Sequence, residues 1–125
     1  MAMKEVCMDD FRVQIKRVYA APRVDDGKRI LVDRLWPRGL TKARAKVDLW
    51  LKDVAPSQEL RKWFDHDPQK WTAFGRRFRE ELARRPDALM ALQDAAKHGR
   101  VTLLYGARDE EHNEAVILLE LLHGK

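Results

Sequence analysis

The chain has 125 residues, with 25 Lys+Arg against 20 Asp+Glu, one cysteine and 45% hydrophobic residues. A lone cysteine excludes an internal disulfide framework and a cysteine-built zinc site, while 36% charge of mixed sign on an ordinary apolar fraction excludes a disordered chain. The longest apolar run, Ala115 to Leu119, is far short of the roughly 20 residues a membrane span requires, and residues 1–11 lack the apolar centre of a signal peptide, so a single cytoplasmic domain is expected.

Residues 1–10, with three methionines and a closing Asp9-Asp10, read as a flexible leader before a domain spanning 11–125. From Val13 to Tyr19, β-branched residues alternate with polar ones as a half-buried strand requires, and Pro22 ends the run. Asp25-Asp26-Gly27-Lys28 is turn chemistry, and Arg29 to Asp33 is a short apolar run suited to a buried parallel strand. Arg34-Leu35-Trp36-Pro37-Arg38-Gly39-Leu40, with Pro and Gly two apart, is a loop leaving that strand. Leu49, Trp50 and Leu51 are assigned to a short helix ended by Pro56, and Ser57 caps a second one carrying Leu60, Trp63 and Phe64.

Asp67-Pro68 starts the next helix, in which Trp71, Phe74, Phe78 and Leu82 recur on one face as core. Another opens at Pro86, carries Leu89, Leu92 and Ala96, and stops at Gly99. Val101 to Tyr105 is the third strand, and Asp109 is expected to cap a last, mostly buried helix with Glu110 and Glu111 in its first turn. Strands separated by helices predict an α/β fold, a small and mainly parallel sheet of three or more strands with helices packed on it.

In such sheets ligands gather beyond the carboxyl ends of the strands. The second strand delivers Asp33, Arg34, Trp36, Arg38 and Gly39 there, and the third delivers Tyr105, Arg108, His112 and Asn113. If the two strands are neighbours these groups converge. Arg34, Arg38 and Arg108 then suit a phosphate or carboxylate, Trp36 walls the site, and Asp33 and His112 are the acid–base pair should the chain be an enzyme. Each also has a plainer role: Asp33 as a strand-end ion pair with Arg34 or Arg38, Trp36 as a core plug, His112 as a packing histidine and Tyr105 as sheet filling.

Asp65, His66 and Asp67 match no zinc motif, and neither a metal nor a cofactor is expected. Nucleotide-loop glycine motifs are absent, and Tyr105 stands where a rhodanese or cysteine phosphatase would place its nucleophile.

The blocks Leu31 to Leu40, Trp50 to Ser57, Leu60 to Phe64, His66-Asp67-Pro68 and Thr102 to Asn113 resemble the YeaO-like family, the short bacterial members of domain of unknown function 488, over about residues 12–122. That resemblance implies no established activity, and longer relatives carry Cys where Tyr105 stands. The function expected is binding of a small phosphate- or carboxylate-bearing ligand at the strand ends, with hydrolase or transferase chemistry as an extension. The alternative is a nucleic-acid or protein-interaction module. It uses basic helix faces such as Arg76, Arg77, Arg79, Arg84 and Arg85, because residues 1–100 carry a net +8 against −3 in residues 101–125.

Overall fold

Val101-Thr102-Leu103-Leu104-Tyr105 is a strand buried along its whole length, and the rest of the sheet is laid against it. The structure, a computed structural model, describes residues 13–124. Strands β1 (Val13–Arg17), β2 (Lys28–Leu31), β3 (Leu49–Trp50) and β4 (Val101–Tyr105) form one sheet in the order β1-β4-β2-β3, with every pair parallel. Arg17 lies opposite Tyr105 and Leu31 opposite Leu104, so the carboxyl ends of β1, β4 and β2 open at the same edge. The ladders run on a little further, from Val18 N–H to the Tyr105 carbonyl at 2.8 Å and from Val32 N–H to the Leu104 carbonyl at 3.1 Å.

Helices α1 (Lys42–Ala45), α2 (Gln58–Phe64), α3 (Trp71–Ala83), α4 (Pro86–Lys97) and α5 (Glu114–Leu122) complete an α/β domain. Ser57 caps α2 by accepting the Leu60 N–H at 3.1 Å, and Asp67 accepts the Gln69 N–H at 3.0 Å to open the Pro68–Lys70 turn that leads into α3. Alternation along β4 divides its side chains between two cores. Val101, Leu103 and Tyr105 join the larger one with Phe74, Phe78 and Leu92, whereas Leu104 joins Val18, Leu31 and Ala45 in a smaller one on which Trp36 and Trp50 pack. No helix among the described residues is long and apolar enough to cross a membrane.

Two expectations need correction. Leu49 and Trp50 are a strand, not a helix. Their pairing with Ile30 and Leu31 is extended by Asp48 N–H to the Arg29 carbonyl at 2.8 Å and Leu51 N–H to the Leu31 carbonyl at 3.0 Å. An apolar triplet has no period of its own, and the open edge of β2 decides its conformation.

The last helix begins at Glu114, with Asn113 as its cap, rather than at Asp109. Asn113 Oδ1 accepts the Val116 N–H at 3.2 Å, while Asp109 accepts the Glu111 and His112 N–H groups at 2.9 and 3.1 Å and so holds a turn in the preceding loop. Glu110, Glu111 and His112 therefore lie before the helix, outside its first turn. The proposed leader, with Cys7, falls outside the described residues.

Candidate functional site

The neighbouring order of β2 and β4 brings the two expected strand ends together at one bond. Asp33 Oδ2 accepts the Gly106 N–H at 2.8 Å, and a Cβ on Gly106 would stand 2.9 Å from that same oxygen. The other partner of Asp33 had no signal in the sequence. The Asp33 carboxyl is hydrogen-bonded to Glu114, at the first position of α5. Burial pushes the Glu114 carboxyl well above its ordinary value of 4.5, and the Asp33 charge and hydrogen bond add to this against a backbone hydrogen bond and the Arg61 guanidinium. No ion pair among the described residues joins Asp33 to Arg34 or Arg38.

This pair makes a measurable prediction. A carboxyl whose pKa is raised by folding binds its proton more tightly in the native state, so stability falls as pH rises from the unfolded value through the folded one. Within that window the slope approaches about 1.4 kcal/mol per pH unit. Glu114→Gln keeps a donor toward Asp33 and removes the ionisation. Urea denaturation between pH 5 and 9 should show wild-type stability declining and the variant lacking that component, and identical profiles would mean that Glu114 is ionised in the native state.

Most of the remaining expected residues have structural partners. Arg34 donates through Nε to the Pro56 carbonyl at 3.1 Å and through Nη2 to the Ala55 carbonyl at 3.4 Å. Trp36 donates to the Leu40 carbonyl at 2.6 Å and meets the Trp50 ring edge-on at 5.4 Å, a core plug that closes its loop over the smaller core. Asn113, almost fully buried, spends Oδ1 on its cap and Nδ2 on the Asp109 carbonyl at 2.9 Å. His112 Nδ1 donates to the Asp109 carboxylate at 2.8 Å, and its ring meets Trp71 edge-on at 5.2 Å. The hydrogen bonds from Glu111 N–H and His112 hold Asp109 below 3.8. No hydrogen bond or ion pair joins His112 to Asp33.

Tyr105, Arg38 and Arg108 remain, and of these Tyr105 lines a cleft at the carboxyl ends of β1 and β4. Its volume is about 380 Å³, with Lys16, Arg17, Tyr19, Tyr105 and Glu110 as its polar lining. Tyr105 is only 2% exposed, and its hydroxyl, without a partner among the described residues, opens into this space. Burial, reinforced by Glu110, Glu114 and Asp109 and opposed by Arg17, raises the phenol above 10.0, so it stays a proton donor near neutral pH.

The rim is tied to the two arginine loops. Tyr19 Oη donates to the Arg38 carbonyl at 2.9 Å, and Arg17 donates to the Ala107 and Gly106 carbonyls at 2.9 and 3.4 Å while lying over the Tyr19 ring at 5.0 Å. The side chains of Arg38 and Arg108 are exposed, and neither has a partner among the described residues. Gly39 follows at φ +77° with open space around it. Lys16, Arg17, Tyr19 and Glu110 are the polar lining residues that the sequence did not single out for the site. The signal available was the end of the first strand, which a parallel sheet must deliver to the same edge as the other two.

A second cleft, of about 300 Å³ and bordered by Lys28, Leu49, Asp94, His98 and Arg100, lies at the opposite, amino ends of β2 and β4. Among the described residues no group of three or more His, Cys, Asp and Glu side chains could hold a metal ion.

Comparison with known proteins agrees with the sequence pattern. The family described as "Inactive DUF488-N3 subclade" matches residues 12–125. The chain is 42% identical over 110 residues to the uncharacterised protein YeaO of Escherichia coli, covering 88% of this chain and 96% of that one. It is 41% identical over 114 residues to uncharacterised proteins of Mycobacterium tuberculosis and Mycobacterium bovis, covering 91% of this chain and 96% of each of those. No solved structure matches it.

Proposed function

Since the chain belongs to the DUF488 family, in the subclade described as inactive, we propose that it is a cytoplasmic binding domain for a small phosphate- or carboxylate-bearing ligand, seated at the carboxyl ends of β1 and β4. The observation that carries this reading is the cleft itself, lined by the buried Tyr105 and joined through Tyr19 and Arg17 to the backbone of the loops that carry the exposed Arg38 and Arg108. Unengaged guanidiniums beside a concave site suit an oxyanion. Binding fits better than turnover. The acid–base candidates Asp33 and His112 are each held by another side chain, Glu114 and Asp109.

The basic helix faces offer less support for a polyanion. Arg77 lies over the Trp63 ring at 4.1 Å, Arg79 pairs with Glu120 at 2.6 Å, and Arg85 donates to the Asp53 carbonyl at 2.9 Å. Nucleic acid at about 50 mM salt, where phosphate contacts are strong, should show no mobility shift.

A thermal-shift series over phosphorylated and carboxylated metabolites tests the reading, because ligand at a hundred times its Kd stabilises the native state by about 2.7 kcal/mol. A stabilising ligand should lose at least about tenfold in affinity in the Arg38→Ala, Arg108→Ala double variant, which removes two exposed side chains that the fold does not use. An affinity unchanged in that variant, or no ligand effect at millimolar concentration, would sink the proposal.

A further inference from the structure

The polar groups of the β1–β4 cleft narrow the chemistry of its ligand, an inference that rests on the binding reading above. Lys16 is committed to Asp26, at 3.1 Å, and to the Ala21 carbonyl at 2.8 Å. Arg17 is committed to two carbonyls, and the Tyr19 hydroxyl to a third. Two polar residues of the lining are left over, the buried Tyr105 and, at the exposed border of the cleft, Glu110, neither with a side-chain hydrogen bond among the described residues.

An ionised carboxylate only accepts, whereas a phenol both donates and accepts. A bare anion pushed into the cleft would meet Glu110 charge to charge. An ammonium would suit Glu110 but would face Lys16 and Arg17 on the same lining. The group that satisfies both leftover partners is a neutral hydroxyl, donating to Glu110 and accepting from Tyr105. Its anionic end then lies outward, toward the loops that carry the unpartnered Arg38 and Arg108.

We propose that the ligand is a hydroxylated phosphate ester of the sugar-phosphate class, with its hydroxyls inside the cleft on Glu110 and Tyr105 and its phosphate at the arginine rim. Ile15 and Ala20 supply an apolar wall for the carbon skeleton, and a space of about 380 Å³ is larger than inorganic phosphate fills. A site built to pair with hydroxyls discriminates strongly against ligands that lack them, because its own polar groups are then left desolvated and unmatched.

Calorimetric titration with glycerol 3-phosphate, ribose 5-phosphate, glucose 6-phosphate and inorganic phosphate separates the possibilities. At least one of the three esters should bind at least about tenfold more tightly than inorganic phosphate. Glu110→Gln, at an exposed position, should erase most of that advantage while leaving inorganic phosphate unchanged or tighter. If all four bind alike and Glu110→Gln alters none of them, the sugar-phosphate assignment is wrong while an anion site stands. If none of the four binds and the carboxylated metabolites also give no thermal shift, the binding reading itself falls.

Discussion

Replacing Asp26 by Ala should cost roughly 3–5 kcal/mol of folding stability, the range for breaking a buried charge pair by removing one partner. Asp26 is 1% exposed and stands at the centre of a network that crosses the sheet. Its Oδ2 accepts from Arg29 Nη1 at 2.6 Å and from the Arg23 N–H at 2.9 Å, Lys16 reaches both oxygens at 3.1 Å, and its backbone carbonyl accepts from the Thr102 hydroxyl at 2.7 Å. Arg29, itself 3% exposed, goes on to the Ala45 carbonyl through Nη2 at 2.8 Å and through Nε at 3.2 Å, so the Asp26 carboxylate ties β1, β2 and α1 together and its backbone carbonyl adds β4.

Removing it leaves the Arg29 charge buried without its counter-ion. A loss of this size corresponds to a fall in Tm of roughly 10–20 °C. Burial alone would raise the Asp26 pKa, but the hydrogen bonds from Arg23, Lys16 and Arg29 and the charge of Lys16 outweigh it and hold the group below 3.8. Its contribution is therefore present above the unfolded value and is lost as pH falls through the lowered one. Wild type should lose stability on acidification below about pH 4, and Asp26→Asn should be weaker at pH 7 and lack the Asp26 component of that loss. A neutral-pH unfolding free energy within about 1 kcal/mol of wild type for Asp26→Ala would contradict the network's importance.

Gly27→Ala should be nearly as damaging, at roughly 2–5 kcal/mol, for two separable reasons. Gly27 has φ 66° and ψ −139°, a backbone conformation that an L side chain resists. A Cβ there would also lie 2.3 Å from the Arg100 carbonyl oxygen, which already accepts the Lys28 N–H at 2.9 Å, so the start of β2 would have to move away from the segment leading into β4. Gly39→Ala is the control. Its φ is +77° but nothing lies within 4 Å of the added carbon, and strain alone should cost about 1–2 kcal/mol. Urea denaturation of the two variants measures the clash as their difference, and equal losses would remove it.

Where hydrophobic pattern and local chemistry agree, the fold was legible. The run Val101 to Tyr105 is apolar because it is central, and the Phe74, Phe78 and Leu82 stripe is buried as its spacing requires. β3 was not legible, because two residues have no period and their conformation is set by an edge that belongs to another segment. The start of α5 was misplaced because Asp109 and Asn113 are both cap-forming residues four apart, and which one caps depends on how the loop is held.

The same limit applies to the site. Arg38, Tyr105 and Arg108, which the proposed site uses, were picked out from their place at or after strand ends, but nothing local marks Glu114 as the partner of Asp33, or Asp26 as more than a turn residue. Asp33 and Glu114 stand on different segments of the chain, and Asp26 gathers partners from Arg29, three residues away, to Thr102, 76 residues away, a convergence that exists only once the sheet is assembled.

The central claim is that the carboxyl ends of β1 and β4 hold a phosphate-bearing ligand. A crystal of the protein soaked in ribose 5-phosphate tests it most directly. The account predicts phosphate density between the Arg38 and Arg108 side chains, with the sugar hydroxyls on Tyr105 and Glu110. Density only in the opposite cleft at Lys28 and Arg100, or none at either end of the strands, would contradict it.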